Sequence, residues 1–126
     1  MNRFKMETVI RVKRVYEEFS KSDGFRMLVD RLWPRGLTKQ AAHVDLWMKE
    51  IAPSNELRKW YHQDMSQWAL FRKKYLAELQ HSASLAEFKS TCAKHEVVTL
   101  LYGSKDANHN HAQILLDILR NPDMIK

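Results

Sequence analysis

The stretch Val97-Val98-Thr99-Leu100-Leu101-Tyr102 decides the fold of this chain. It is short, rich in β-branched residues and flanked by polar ones, which predicts a buried β-strand. Residues 103–108 are polar and begin with glycine, so they predict a loop. Residues 110–120 then carry apolar side chains at helical spacing, which predicts a helix. Strand, loop and helix in this order are typical of an α/β protein with a parallel sheet.

Two earlier segments predict further strands of the same sheet. Thr8–Tyr16 contains four β-branched residues among its first five and alternates along its length, which favours a strand. Asp23-Gly24 predicts a turn. Phe25–Leu32 follows as a second strand, and Trp33-Pro34-Arg35-Gly36 ends it because proline cannot donate to a ladder.

The middle of the chain is predicted to be helical on both sides of one ambiguous segment. Val44–Ile51 fits both a period of two and helical spacing, and we read it as a strand closed by Pro53. Serine, threonine or aspartate precedes each expected helix as a cap: Thr38 before Lys39–Ala42, Ser54 before Asn55–Tyr61, Asp64 or Ser66 before a helix to about Gln80, and Ser84 at the start of the next. The sequence therefore predicts one α/β domain over residues 1–126, with a mostly parallel sheet of about four strands and helices packed on it.

Composition limits the classes of protein that this chain can belong to. Its 126 residues are 44% hydrophobic with only three Gly and three Pro, which excludes a disordered or collagen-like chain. No apolar run approaches the ~20 residues of a membrane span, and no apolar leader follows Met1, so we expect no membrane partner. The single Cys92 cannot form an internal disulfide, which indicates a cytoplasmic protein. The net charge of +6 favours an anionic partner.

The first candidate site is Asp30-Arg31-Leu32-Trp33-Pro34-Arg35-Gly36, at the exit of the second strand. Guanidinium groups match carboxylate or phosphate, so Arg31 and Arg35 on a stiff turn would form an anion clamp. Asp30 would orient one arginine or act as a base, and Trp33 would stack on a ring or shield the site. A salt bridge beside a buried tryptophan explains the same residues equally well.

The second candidate site runs from Tyr102 to His111, at the exit of the last strand. A helix beginning near Asn110 offers unpaired amides to an anion, with Tyr102 and Asn108 beside it. His109 and His111 can exchange protons near neutral pH. Capping by Asn108 or Asn110 with one packed histidine is the structural alternative. Metal binding is not predicted, because residues at i and i+2 diverge on a helix. Parallel strands would bring both motifs to one edge of the sheet.

These residues resemble the YeaO-like branch of the domain-of-unknown-function 488 family. The resemblance rests on Val29–Gly36, Asp23-Gly24 and Asn108–Ala112, together with Lys13–Tyr16 and the residues from Ala52 to Trp60, and it covers roughly residues 11–119. It implies a small cytosolic bacterial α/β protein. It carries no activity with it, and fold likeness alone is no warrant for chemistry.

Three functions remain open from the sequence. The first is a protein that binds a small phosphate- or carboxylate-bearing molecule. Hydrolysis of that molecule, or transfer of a group on it, is an extension of this function, and the sequence does not decide whether the protein is an enzyme. The second is a nucleic-acid-binding module that stacks bases on Trp33 or Trp60, although no helix-turn-helix pattern is present. The third is a scaffold for a protein partner. No nicotinamide or P-loop glycine pattern occurs, so no cofactor is expected. Arg58, Trp60 and His62 are secondary candidates that packing also explains.

Overall fold

A four-stranded parallel sheet forms the centre of the molecule, which a computed structural model describes over residues 8–125. The strands are β1 (Val9–Arg14), β2 (Phe25–Leu28), β3 (Leu46–Trp47) and β4 (Val97–Tyr102), in the spatial order β1-β4-β2-β3. Every pairing is parallel, so the predicted fold class is confirmed. Within residues 8–125, no helix is long and apolar enough to span a membrane.

The strand β4 lies between β1 and β2 and is buried on both faces. Side chains alternate along it, as they must in a strand. Leu100 and Tyr102 belong to a large apolar cluster with residues of four helices: α2 (Asn55–Gln63), α3 (Trp68–Gln80), α4 (Ser84–Ala93) and α5 (His111–Arg120). Leu101 faces the other way, into a small cluster that includes Ala42 of α1 (Lys39–Ala42). The sheet therefore separates a thick helical layer from a thin one.

The start of β2 is fixed by a buried group of charges. Asp23 is 4% exposed and Arg26 is 1% exposed. The Asp23 carboxylate accepts hydrogen bonds from Lys13 (3.0 Å) and from the Arg26 guanidinium. Arg26 also donates to the carbonyl oxygens of Ala42 and His43. These partners compensate the cost of burying both charges.

Gly24, in the predicted Asp-Gly turn, must be glycine. Its φ is +66°, a left-handed backbone that side chains disfavour. A Cβ added there would lie 2.4 Å from the carbonyl oxygen of Val97. Gly24 therefore lets the chain leave the 3₁₀ turn at Lys21–Asp23 sharply, and it lets β2 approach the beginning of β4 closely.

The prediction of a strand over Val44–Ile51 is wrong for most of that segment. Only Leu46 and Trp47 pair with β2, and Lys49–Ile51 forms a 3₁₀ turn. The ladder stops there because β2 itself ends at Leu28, four residues short of the predicted end at Leu32. Met48 makes one last bond, from its amide to the Leu28 carbonyl (2.9 Å).

The predicted caps of the long helix are also wrong. Asp64 accepts hydrogen bonds from the amide and the hydroxyl of Ser66 (3.1 and 2.6 Å). Asp64 and Ser66 therefore hydrogen-bond within a turn before the helix. The helix α3 begins only after Gln67, whose side chain makes no capping hydrogen bond. Ser54 does cap α2, which extends to Gln63, two residues beyond the predicted end.

Candidate functional site

The carboxyl ends of β2 and β4 meet at one edge of the sheet, as parallel neighbours must. The Asp30 carboxylate, just after β2, accepts a hydrogen bond from the Gly103 amide, just after β4 (2.9 Å). A Cβ on Gly103 would lie only 3.0 Å from that carboxylate. The approach joins the two loops that carry the predicted motifs.

Asp30 and His111 form a polar pair at this junction. Nε2 of His111 lies 2.8 Å from the Val29 carbonyl and 3.4 Å from an Asp30 carboxylate oxygen. Both neighbours accept hydrogen bonds, so this geometry assigns a proton to Nε2. Burial raises the pKa of Asp30, against the opposing effects of His111 and the Gly103 amide. The side chains of Asp30 and His111 are 22% and 16% exposed, so both can still contact a ligand.

Arg31 and Arg35 do not form the predicted clamp. Arg31 donates from Nε to the Pro53 carbonyl (3.0 Å) and from Nη2 to the Ala52 carbonyl (3.1 Å). It therefore anchors the segment before α2, although it still lines the cavity described below. Arg35 is exposed and lies outside that cavity. Gly36, with a φ of +83°, turns the chain away after it.

Trp33, predicted to lie in the site, packs on the other face of the sheet. Its indole Nε1 donates to the Leu37 carbonyl (2.7 Å), and its ring makes an edge contact with Trp47 at 5.4 Å. It belongs to the periphery of the small cluster. The bend at Arg31 and Leu32 separates Trp33 from β2, so the alternation along the strand does not determine where its ring points.

Some residues of the second motif stabilise the fold, and others line the cavity described below. Asn110 caps α5, because its side chain accepts from the Gln113 amide (3.2 Å). His109 stacks on Trp68 with ring centroids 5.0 Å apart. Tyr102 is 4% exposed within the large core, and Asn108 is exposed. Neither Tyr102 nor Asn108 lines the cavity.

A cavity of about 260 Å³ opens beside the Asp30–His111 pair. Ligand pockets commonly measure ~300–1,000 Å³, so this one suits a small molecule. Residues of both motifs line it, namely Asp30, Arg31, Leu32, Ser104, His109, Asn110 and His111. Helix α2, the start of α3 and the segments next to them supply the remaining wall, namely Ala52, Pro53, Arg58, Tyr61, His62, Met65, Trp68 and Phe71.

The helical wall of the cavity is only weakly indicated by the sequence. Arg58 and His62 are secondary candidates, whereas Tyr61 in one predicted helix and Trp68 and Phe71 in the next lie on apolar stripes that predict core. Tyr61 and Phe71 are indeed buried, at 6% and 4% exposure. Their edges nevertheless reach the cavity, which helical periodicity alone does not reveal.

The charges around the cavity favour an anion. Two arginines and three histidines line it against one aspartate. Asp106, beside His109, accepts hydrogen bonds from the amides of His109 and Asn108 (both 2.9 Å), and these bonds lower its pKa.

Within residues 8–125, no three His, Cys, Asp or Glu side chains are grouped to hold a metal ion.

Cys92 takes no part in the site. It lies in α4 and is 2% exposed. Burial raises the pKa of its thiol to about 12, so it is not a thiolate nucleophile at neutral pH.

Comparison with known proteins gives one family and several close relatives. A family described as the inactive DUF488-N3 subclade, DUF488-N3i, matches residues 9–123. The chain is 47% identical over 112 residues to "Uncharacterized protein YeaO" of Escherichia coli, covering 89% of this chain and 97% of that protein. It is 42% identical over 113 residues to "Uncharacterized protein Mb3100c" of Mycobacterium bovis, covering 90% of this chain and 95% of that protein. No solved structure matches the chain.

Proposed function

Because this chain belongs to the YeaO-like DUF488 proteins, within the inactive DUF488-N3 subclade, we propose that it binds a small carboxylate- or phosphate-bearing molecule without transforming it. The ligand occupies the cavity beside Asp30 and His111. We place this binding in the cytoplasm, because a chain with a single cysteine and no possible internal disulfide is typical of a reducing compartment.

The observation that carries this proposal is the combination of donors and aromatic rings around one small cavity. Arg31 and Arg58 provide positive charge, and the histidines provide further N–H groups. Tyr61, Trp68 and Phe71 provide flat apolar surface, and their rings pack within 6.0 Å of one another. Such walls bind a molecule that has an anionic group and an apolar body.

Binding without turnover agrees with how His111 is held. Its Nε2 faces the Val29 carbonyl and the Asp30 carboxylate, so that nitrogen is not free to accept a proton from a substrate. The pair then serves as a fixed polar contact. The description of the family as inactive supports the same interpretation.

Hydrolysis or group transfer on the bound molecule is the second candidate. It is favoured by a carboxyl whose pKa is raised beside an imidazole, a combination used in acid–base catalysis. Release of phenol and inorganic phosphate from phenyl phosphate, lost in the His111→Ala variant, would favour this candidate over simple binding.

Nucleic-acid binding is less well supported than anion binding, because the two tryptophans expected to stack on bases already have other contacts. The indole of Trp33 is bonded to Leu37 and packs on Trp47. The Lys74 ammonium lies 5.2 Å from the centroid of the Trp60 ring, a contact that already occupies one face of that ring.

The experiment uses the four tryptophan indole N–H signals in a ¹H–¹⁵N correlation spectrum. Trp68 lines the cavity, whereas Trp33, Trp47 and Trp60 do not. Benzoate, phenyl phosphate and inorganic phosphate are titrated to about 10 mM, enough to detect the millimolar dissociation constants of fragments. A Trp68→Phe variant assigns the reporting signal.

We expect at least one aromatic anion to shift the Trp68 signal and leave the other three in place. Uncharged benzamide serves as the isosteric control and should bind more weakly than benzoate. If none of the three anions moves the Trp68 signal, the proposed function is rejected.

A further inference from the structure

Two hydrogen-bond donors on α2 have no partner although they are buried. The Arg58 Nε and the Tyr61 hydroxyl make no hydrogen bond to any group within residues 8–125. Tyr61 is 6% exposed. Buried polar groups are almost always paired, because an unpaired one has lost its bonds to water. Both residues line the cavity.

The two donors lie on one face of a helix whose position is fixed. Residues three apart on a helix are neighbours, so Arg58 and Tyr61 present their groups together. Ser54, the cap of α2, donates from its amide (3.0 Å) and its hydroxyl (2.5 Å) to the Glu78 carboxylate of α3. The start of the helix that carries the two donors is therefore held in place before any ligand arrives.

Other cationic groups of the cavity are less suited to hold an anion. Arg31 has two N–H groups committed to the Ala52 and Pro53 carbonyls and follows the Asp30 carboxylate directly in the chain. Within residues 8–125 the Arg58 side chain makes one hydrogen bond, from Nη2 to the Asn55 side chain of its own helix (3.2 Å). Its buried Nε has no partner among residues 8–125.

From these observations, and resting on the proposed function, we infer that the Arg58 guanidinium and the Tyr61 hydroxyl hold the carboxylate or phosphate of the ligand. A guanidinium and a phenol both donate, and an anionic oxygen accepts. The apolar body of the ligand then lies against Trp68 and Phe71. Burial keeps the pKa of Tyr61 above its usual value, so its hydroxyl remains a donor at neutral pH.

The test is calorimetric titration with benzoate and phenyl phosphate. Arg58→Gln and Tyr61→Phe should each weaken binding of the anions by roughly 10- to 100-fold. Matched controls are Arg35→Gln and Tyr16→Phe, which change exposed residues outside the cavity and should leave affinity unaltered. Uncharged benzamide should lose little affinity in Arg58→Gln.

The outcomes separate this inference from the proposed function. If the anions shift the Trp68 signal but bind Arg58→Gln and Tyr61→Phe as tightly as the unaltered protein, the inference is wrong and the proposed function stands. Equal losses for benzamide and benzoate in Arg58→Gln would indicate a structural role and also overturn it. If no anion reaches the cavity, both fail.

Discussion

Removing one hydroxyl from Tyr61 is expected to stabilise the unliganded protein. The Tyr61→Phe substitution deletes a buried donor that has no partner within residues 8–125 and keeps the ring that packs on Phe71 at 4.4 Å. An unsatisfied buried polar group costs about 1–3 kcal/mol. We therefore expect the free energy of unfolding to rise by about 1 kcal/mol, the lower end of that range.

The expected shift in the unfolding midpoint follows from the size of the chain. An unfolding entropy of about 2.1 cal/mol/K per residue gives roughly 0.26 kcal/mol/K for 126 residues. A gain of about 1 kcal/mol then raises Tm by about 4 °C. Differential scanning calorimetry without ligand measures this shift.

Tyr75→Phe is the matched control, because it makes the same chemical change in the same core. Tyr75 is 1% exposed, and its hydroxyl donates to the Ile51 carbonyl. Its loss leaves that carbonyl unpaired and should lower stability by about 1–3 kcal/mol. If Tyr61→Phe also lowers Tm by several degrees, the Tyr61 hydroxyl has a stabilising partner and the reasoning is refuted.

Two further expectations concern the start of β2. Asp23→Asn should lower the free energy of unfolding by about 3–5 kcal/mol at pH 7, because it leaves the buried Arg26 without its counter-charge. Burial opposes ionisation of Asp23, but hydrogen bonds to the carboxylate hold its pKa below the usual 3.8. The stability that ionised Asp23 contributes is therefore present above about pH 4 and is lost as the pH falls through the lowered pKa of the folded state. Urea unfolding at pH 7 and at about pH 2.5 should show the difference between the two proteins shrinking on acidification, and a constant difference would contradict this. Gly24→Ala should lower the free energy of unfolding by more than about 3 kcal/mol. Gly36→Ala places no atom within 4 Å of the added Cβ, so it should cost only the ~1–2 kcal/mol of a left-handed backbone. Equal losses of stability in urea unfolding would show that the clash at Gly24 is relieved.

The sequence predicts the regular parts of this fold well, for a physical reason. The β4 strand and the helix after it have the predicted bounds to within one residue, because the patterns of apolar residues there match the burial that the sheet imposes. Leu46–Trp47 forms only two paired residues of a longer predicted strand. The length of an edge strand depends on its partner, and no local pattern contains that information.

The candidate site was only partly predictable for a similar reason. Asp30 and His111 could be placed near each other, since parallel strands end at one edge. Trp33 could not be placed, because its direction depends on a turn beyond the strand. The helical pattern places Tyr61 in the core, where it lies, and only the three-dimensional packing shows that the same residue also lines the cavity.

The position of β4 in the sheet has a consequence for how the chain is made. β1 and β2 do not pair with each other, and each bonds instead to a strand that begins at residue 97. During synthesis, until residue 97 has emerged from the ribosome, β1 has no partner strand and β2 can pair only with the two residues of β3. The four-stranded sheet can therefore form only after the final segment is available, and until then the edges of β1 and β2 that face β4 stay unpaired.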